Sequence, residues 1–228
     1  MEFPKFKRDV SLSESVYQAI YEQIINGHLK PSQKITEAWL AQSMGISRAP
    51  VREAFKRLFE DRLVVLVPRS GCYIAKLSLE EIEEIYEIRK RLESMALEYA
   101  INKIDKKEIV SLYKRFIRCQ KNWSINLAHR EIELDSEFHT LVAKSSGCTN
   151  LQEMLGKLRV RVQMFRVMQA DYQGRALIAL QEHIDIIKAI LEGDKTRAIE
   201  SLVSHIEHTK QNVLNVSRKM DNTIFERK

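Results

Sequence analysis

Gly45-Ile46-Ser47-Arg48-Ala49-Pro50-Val51-Arg52-Glu53-Ala54-Phe55-Lys56-Arg57 is punctuated like a turn that runs into a helix. Gly45 suits a turn that needs a positive φ. Ser47 is placed to cap the helix by accepting a hydrogen bond from a backbone N–H of its first turn. Pro50 sits inside that turn, where a missing N–H costs nothing. Arg48 and Arg52 are four apart and project from one face near the N-terminal end. Val51, Phe55 and Leu58 form the opposite, apolar stripe. An arginine pair at the head of an anchored helix is what major-groove readout of guanine edges requires. A surface amphipathic helix with two solvated arginines would satisfy the same stretch, so its surroundings decide.

Upstream, Ser11-Leu12-Ser13-Glu14 resembles a capping box, and a helix is expected from there to about Asn26, with Val16, Ile20 and Ile24 on one face. Asn26-Gly27 and Pro31 end it. Thr36 to Met44 reads as a second short helix that carries Ile35, Leu40 and Met44. Downstream the period changes. Leu63-Val64-Val65-Leu66-Val67 and Cys72-Tyr73-Ile74-Ala75 flank the turn Pro68-Arg69-Ser70-Gly71, which makes a β-hairpin with Arg69 at its tip. Three helices followed by a hairpin make a winged helix-turn-helix. An isolated basic helix has no need of a hairpin there.

The chain has 228 residues, 44% hydrophobic and 30% charged, the balance of an ordinary globular protein. No apolar run approaches the roughly 20 residues of a membrane span. The N-terminal arm, residues 1–10, has no apolar core and does not read as a signal peptide. Cys72, Cys119 and Cys148 are odd in number and far apart, which argues for a reducing, cytoplasmic setting. The net charge of +6 is uneven: residues 1–76 hold 12 Lys/Arg against 8 Asp/Glu, and residues 77–228 hold 25 against 23. A basic small domain joined to a nearly neutral larger one fits a nucleic-acid module attached to something else.

The joint is expected at Leu77-Ser78, dividing the chain into 1–76 and 77–228. Ser78-Leu79-Glu80-Glu81 is a second capping box. Six amphipathic helices follow with short connections: to about Asn102, Asp105 to about Trp123, Leu127–Ser145, Thr149–Ala170, Arg175–Glu192 after an interruption at Gly174, and Asp194 to about Met220. The expected fold is mainly α, a winged helix-turn-helix followed by an antiparallel six-helix bundle.

The informative residues of the bundle are polar ones on apolar faces. Ile132, Asp135, His139 and Val142 share one stripe. His183 lies in the stripe Leu180, His183, Ile187 and Leu191, and His205 follows Leu202 by one turn. One carboxylate and three imidazoles aimed at a common interior suit a divalent metal such as Zn²⁺, Ni²⁺ or Mn²⁺. Each histidine taken singly is as well explained as a satisfied core residue, with Asp135 salt-bridged to one of them. His208 is an alternative to His205, while His129 and His28 read as surface. Arg89 stands beside Ile85, Ile88 and Leu92, either as an ion-pair partner of Glu93 or as a bidentate holder of a small carboxylate. Arg161, among Leu158, Val162 and Phe165, is a second candidate for that role.

Ile46 to Ala54 resembles the signature of the GntR family of bacterial transcription regulators. Arg89 with Glu93, Asp135 with His139, Ser146-Gly147, His183, Gly193-Asp194 and His205 resemble the FadR subfamily, in its VanR-like group with a six-helix C-terminal FCD domain. The resemblance spans about residues 10–216. It implies a cytoplasmic homodimer that binds double-stranded operator DNA and is released by a small organic acid. It implies DNA contacts from Arg48, Arg52 and Ser47, with Arg69 and Gly71 of the wing, a metal set of Asp135, His139, His183 and His205, and Arg89 near the effector carboxylate. Two positions depart from the family pattern. Ala38 stands where some members have an arginine, and Cys148 stands where asparagine is frequent. The resulting expectation is a ligand-responsive repressor and not an enzyme. A metal-sensing regulator and a metalloenzyme with a DNA-binding head are the rivals.

Overall fold

A computed structural model describes residues 11–68, 70–123, 128–168 and 173–225, without side chains at 128–129, 164–168, 173–174 and 219–225. The expectations for the N-terminal arm, Arg69 and the side chains of His129 and Phe165 fall outside the described residues. The chain divides into two units, Met1–Lys76 and Leu77–Lys228.

The first unit runs α1 (Leu12–Ile25), β1 (Lys34–Ile35), α2 (Glu37–Met44), α3 (Arg48–Glu60), β2 (Val64–Val67) and β3 (Gly71–Ile74). Ser11 and Thr36 cap α1 and α2 by accepting the N–H of Glu14 and Trp39. Only half of the first capping box forms, because the Glu14 carboxylate pairs with Arg57 on α3 instead. Ser47 stands at the N-cap of α3 with extended backbone but makes no side-chain cap hydrogen bond. Pro50 explains this: it occupies the third helical position, and the N–H that caps α1 and α2 from that position is missing here. Gly45 closes α2 in the left-handed region at φ 66°.

Ile35, expected on the second helix, lies instead on β1, which pairs with β3 through Lys34↔Tyr73 and Ile35↔Cys72. The wing hairpin is therefore part of a three-stranded antiparallel sheet in the order β1-β3-β2. Gly71, opposite Val67, has φ 128°, and a Cβ there would come within 3.1 Å of Lys34 Cε. Val51, Phe55 and Leu58 of α3 are buried with Val16, Ile20 and Ile24 of α1 and with Ile35, Leu63 and Ile74. This core fixes the buried face of α3 and leaves Arg48 and Arg52 in solvent.

The second unit is all helical among its described residues: α4 (Leu79–Ala100), α5 (Lys106–Lys121), α6 (Ala128–Ser145), α7 (Thr149–Met168), α8 (Gln173–Glu192) and α9 (Lys195–Phe225). Ser78 and Glu81 form the complete capping box of α4. Asp105 caps α5 through the N–H groups of Lys107 and Glu108. Gly174, expected between helices, falls in the first turn of α8. Gly147 and Gly193 end α6 and α8 at positive φ. Helix α4 packs on α6, α7 and α9, and α8 on α5, α6 and α9. The core between them includes Tyr86, Leu97, Phe116, Phe138, Ile187 and Leu202. Cys148 packs against its margin, half-buried. Among the described residues no helix is long and apolar enough to cross a membrane.

Candidate functional site

One turn of α6 carries Asp135 and His139 on the same inward face, and α8 and α9 bring His183 and His205 to it. All four residues are buried. One ligand atom from each lies within 4.8 Å of the other three. The Nε2 atoms of His139, His183 and His205 stand 3.4, 3.2 and 3.7 Å from Asp135 Oδ1.

The opposite ring nitrogens explain why Nε2 faces inward. His183 Nδ1 donates to the Ala179 carbonyl at 2.8 Å. His205 Nδ1 donates to Glu182 Oε2 at 2.7 Å. His139 Nδ1 pairs with Glu93 Oε2. A proton held on Nδ1 leaves the Nε2 lone pair bare. His183 Nε2 and His205 Nε2 are buried and make no hydrogen bond. Bare lone pairs converging on a carboxylate oxygen repel one another unless a cation lies among them, so this donor set fits a divalent metal. Burial, then the neighbouring His205, lowers the His183 pKa to about 4, which keeps it neutral as a ligand must be. Phe116 stacks on its ring at 4.9 Å between centroids.

The anchoring carboxylates stay charged. Burial opposes ionisation of Glu93, but Arg89 and His139 together hold it well below the ordinary range. Burial likewise opposes ionisation of Glu182, and hydrogen bonds from His205 and Arg175 bring it down to about 2. His208 is 59% exposed and bonds Glu182 from outside, so it does not replace His205 in the cluster. His28 is exposed, as expected.

Arg89 is the ion-pair partner of Glu93, one of the two roles left open for it in the sequence. Its Nε bonds Glu93 at 2.5 Å, and its Nη2 lies 3.0 Å from His139 Nε2. It also lines a narrow cleft, partly open to solvent, whose enclosed volume is about 20 Å³, room for a single water, with Asp135, Ser136, His139, Arg159 and Gln163. The second arginine of this pocket is Arg159. Arg161, the sequence candidate, bonds Glu81 Oε1 on α4 at 3.2 Å. Two residues along a helix point to nearly opposite sides, and α7 packs against both α4 and α6. The sequence reading also missed Glu182 and Ala179. Both partners become visible only once α8 and α9 are paired or α8 is built.

On the first unit, Arg48 and Arg52 head α3 in solvent, as the four-residue spacing requires. Arg52 is not free-standing: its Nε and Nη2 bond both oxygens of Glu37 on α2, at 3.1 and 3.0 Å. That contact spans 15 residues and was not foreseen. Ser47 is exposed beside them.

Comparison with known proteins supplies a context for both regions. The family described as "Bacterial regulatory proteins, gntR family" matches residues 12–74, and the "FCD domain" matches residues 84–208. The uncharacterized HTH-type transcriptional regulator YdhC of Bacillus subtilis (strain 168) is 30% identical over 201 residues, 88% of this chain and 90% of its own. Among solved structures, E. coli McbR/YncC superposes with a TM-score of 0.78 at 21% identity, covering 92% of this chain and 100% of that one. The Zn²⁺-bound FCD domain of TM0439 gives 0.52 at 24% identity, over 62% of this chain and 96% of that one. At these identities both structures speak to the fold.

Proposed function

This chain belongs to the gntR family of bacterial regulatory proteins and carries an FCD domain after its winged helix-turn-helix, and we propose that it is a repressor released by a small carboxylate effector. Residues 1–76 are the DNA-binding domain and residues 77–228 bind effector and dimerise. The observation that carries the reading of the bundle is the convergence of Asp135, His139, His183 and His205, with each histidine anchored through Nδ1. These four residues would hold the divalent ion. The FCD domain of TM0439 is a Zn²⁺-bound relative in fold, which supports Zn²⁺, with Ni²⁺ and Mn²⁺ as alternatives. When bound, the ion would supply positive charge and Lewis acidity toward an acid.

Arg89 does the selecting. The His139 Nε2 lone pair accepts either Arg89 or a metal, because imidazole nitrogen has only one. With His139 Nε2 given to a metal, Arg89 Nη2 would face the pocket edge without that partner, while Glu93 keeps the guanidinium in place through Nε. A carboxylate entering beside Arg159, Ser136 and Gln163 meets that freed edge. Asp135 and His139, the basic groups of the pocket lining, are both committed to the ligand set. Among the described lining residues no other group is placed to move a proton on a bound acid, which supports a regulator over an enzyme.

On the DNA side, Arg48 and Arg52 read base edges in the major groove, Ser47 offers its uncapped hydroxyl to a phosphate, and Arg69 with Gly71 brings the wing to the adjacent backbone or minor groove. Two copies of the chain bind the two halves of an operator. An effector that prefers one dimer geometry changes the spacing of the two α3 helices by that preference. The test uses a duplex selected by the full chain from a randomised library. Arg52→Ala is expected to lose about 10- to 100-fold in affinity for it. An unchanged affinity at near-physiological salt overturns the assignment. Release of DNA by Zn²⁺ alone, without any added acid, would make the protein a metal sensor instead.

A further inference from the structure

Glu37 is the first residue of α2, held there by the Thr36 cap, and it faces the two arginines that head α3. Its carboxylate accepts Arg52 Nε and Nη2 in a bidentate pair. Arg52, and behind it Arg48, hold Glu37 charged, below the ordinary carboxylate range.

As a contribution to folding this pair makes little sense. The side chains are 60% and 31% exposed. Exposed ion pairs contribute little to stability, and holding a long arginine in one rotamer costs entropy. As a contribution to general DNA affinity it is worse, since an acid beside the phosphate-facing side opposes binding. Residues 37–44 contain no Lys or Arg that would offset it. The pair has a benefit if the direction of the Arg52 fork matters.

The guanidinium has five N–H donors in a rigid plane. Glu37 takes the one on Nε and one on Nη2. The pair on Nη1 and the outer hydrogen of Nη2 remain. The outer hydrogen of Nη2 and the Nη1 hydrogen beside it form the end-on fork that matches O6 and N7 of guanine. Resting on the DNA-binding reading, we propose that Glu37 is a positioning residue: it clamps the inner edge of Arg52 so that the outer edge is presented, already oriented, to a guanine in the operator.

The test measures two affinities of the full chain, for the duplex it selects from a randomised library and for poly(dI-dC). Glu37→Ala is expected to leave non-specific binding unchanged or tighter, because an acid is gone, while the specific-to-non-specific ratio falls about tenfold. Glu37→Gln, which keeps one acceptor at the same reach, is expected to restore part of that ratio. In an Arg52→Ala background, removing Glu37 should lower the ratio no further. If both affinities rise by one factor, Glu37 is a repulsive bystander and the proposal is overturned. If both fall together with the melting temperature, Glu37 is structural and the proposal is again overturned. A wild-type chain that selects no sequence at all would instead refute the DNA-binding reading on which this rests.

Discussion

Two of the molecule's arginine–glutamate pairs share a similar chemistry in opposite surroundings. Arg52 and Glu37 meet on the surface of the winged domain, while Arg89 and Glu93 meet inside the helical bundle, 6% and 8% exposed. The surface pair is nearly dispensable to the fold. Water screens it, and either partner alone would be solvated. The buried pair is the opposite case. Glu93 bonds Arg89 and His139 together, and Arg89 reaches His139 in turn. Removing one member leaves charge stranded in a medium that cannot solvate it. Burial therefore sets where each region can change. The DNA face can be retuned by single substitutions, whereas the bundle site must change as a set.

The largest expected break comes from Glu93→Ala. It leaves Arg89 buried without its direct ion-pair partner and should cost about 3–5 kcal/mol in urea unfolding of the metal-free protein. A loss below 1 kcal/mol, similar to that of a surface pair, would erase the contrast. Glu182→Gln is the intermediate case. Glu182 orients His205 from the edge of the cluster and also bonds Arg175 and His208. Zn²⁺ affinity, read by competition with a chromophoric chelator, should fall about 10- to 100-fold. An unchanged affinity would mean that the α9 backbone alone aims the ring. The smallest effect belongs to Arg115→Ala, which breaks the exposed Arg115–Glu137 pair between α5 and α6. Its unfolding free energy should change by less than about 1 kcal/mol. A larger loss would show that exposure does not rank these pairs.

What was legible in the sequence follows the range of the interaction. Helix starts rest on a cap and its third neighbour, so Ser11, Thr36, Ser78 and Asp105 are readable from four residues. Asp135 and His139 are one turn apart, so their shared face is readable too. Ser47 shows that a local rule needs all its parts: the serine is in position, but Pro50 removes the donor it needs. Strand β1 has two residues, too few for an alternating pattern, and forms because β3 lies beside it. Arg159 and Arg161 are indistinguishable without knowing that α7 shows one face to α6 and another to α4. Glu37 with Arg52, and Glu182 with His205, depend on how two helices cross, and no short segment records that.

The buried carboxylate and three imidazoles, aimed by their outer anchors, are the proposed metal site on which the reading of the bundle rests. Native mass spectrometry of the full chain after incubation with Zn²⁺ and removal of excess ion tests it directly. One ion per chain is expected in the wild type and none in the double variant His183→Ala, His205→Ala. A wild-type chain that carries no ion, or a double variant that keeps one, would contradict it.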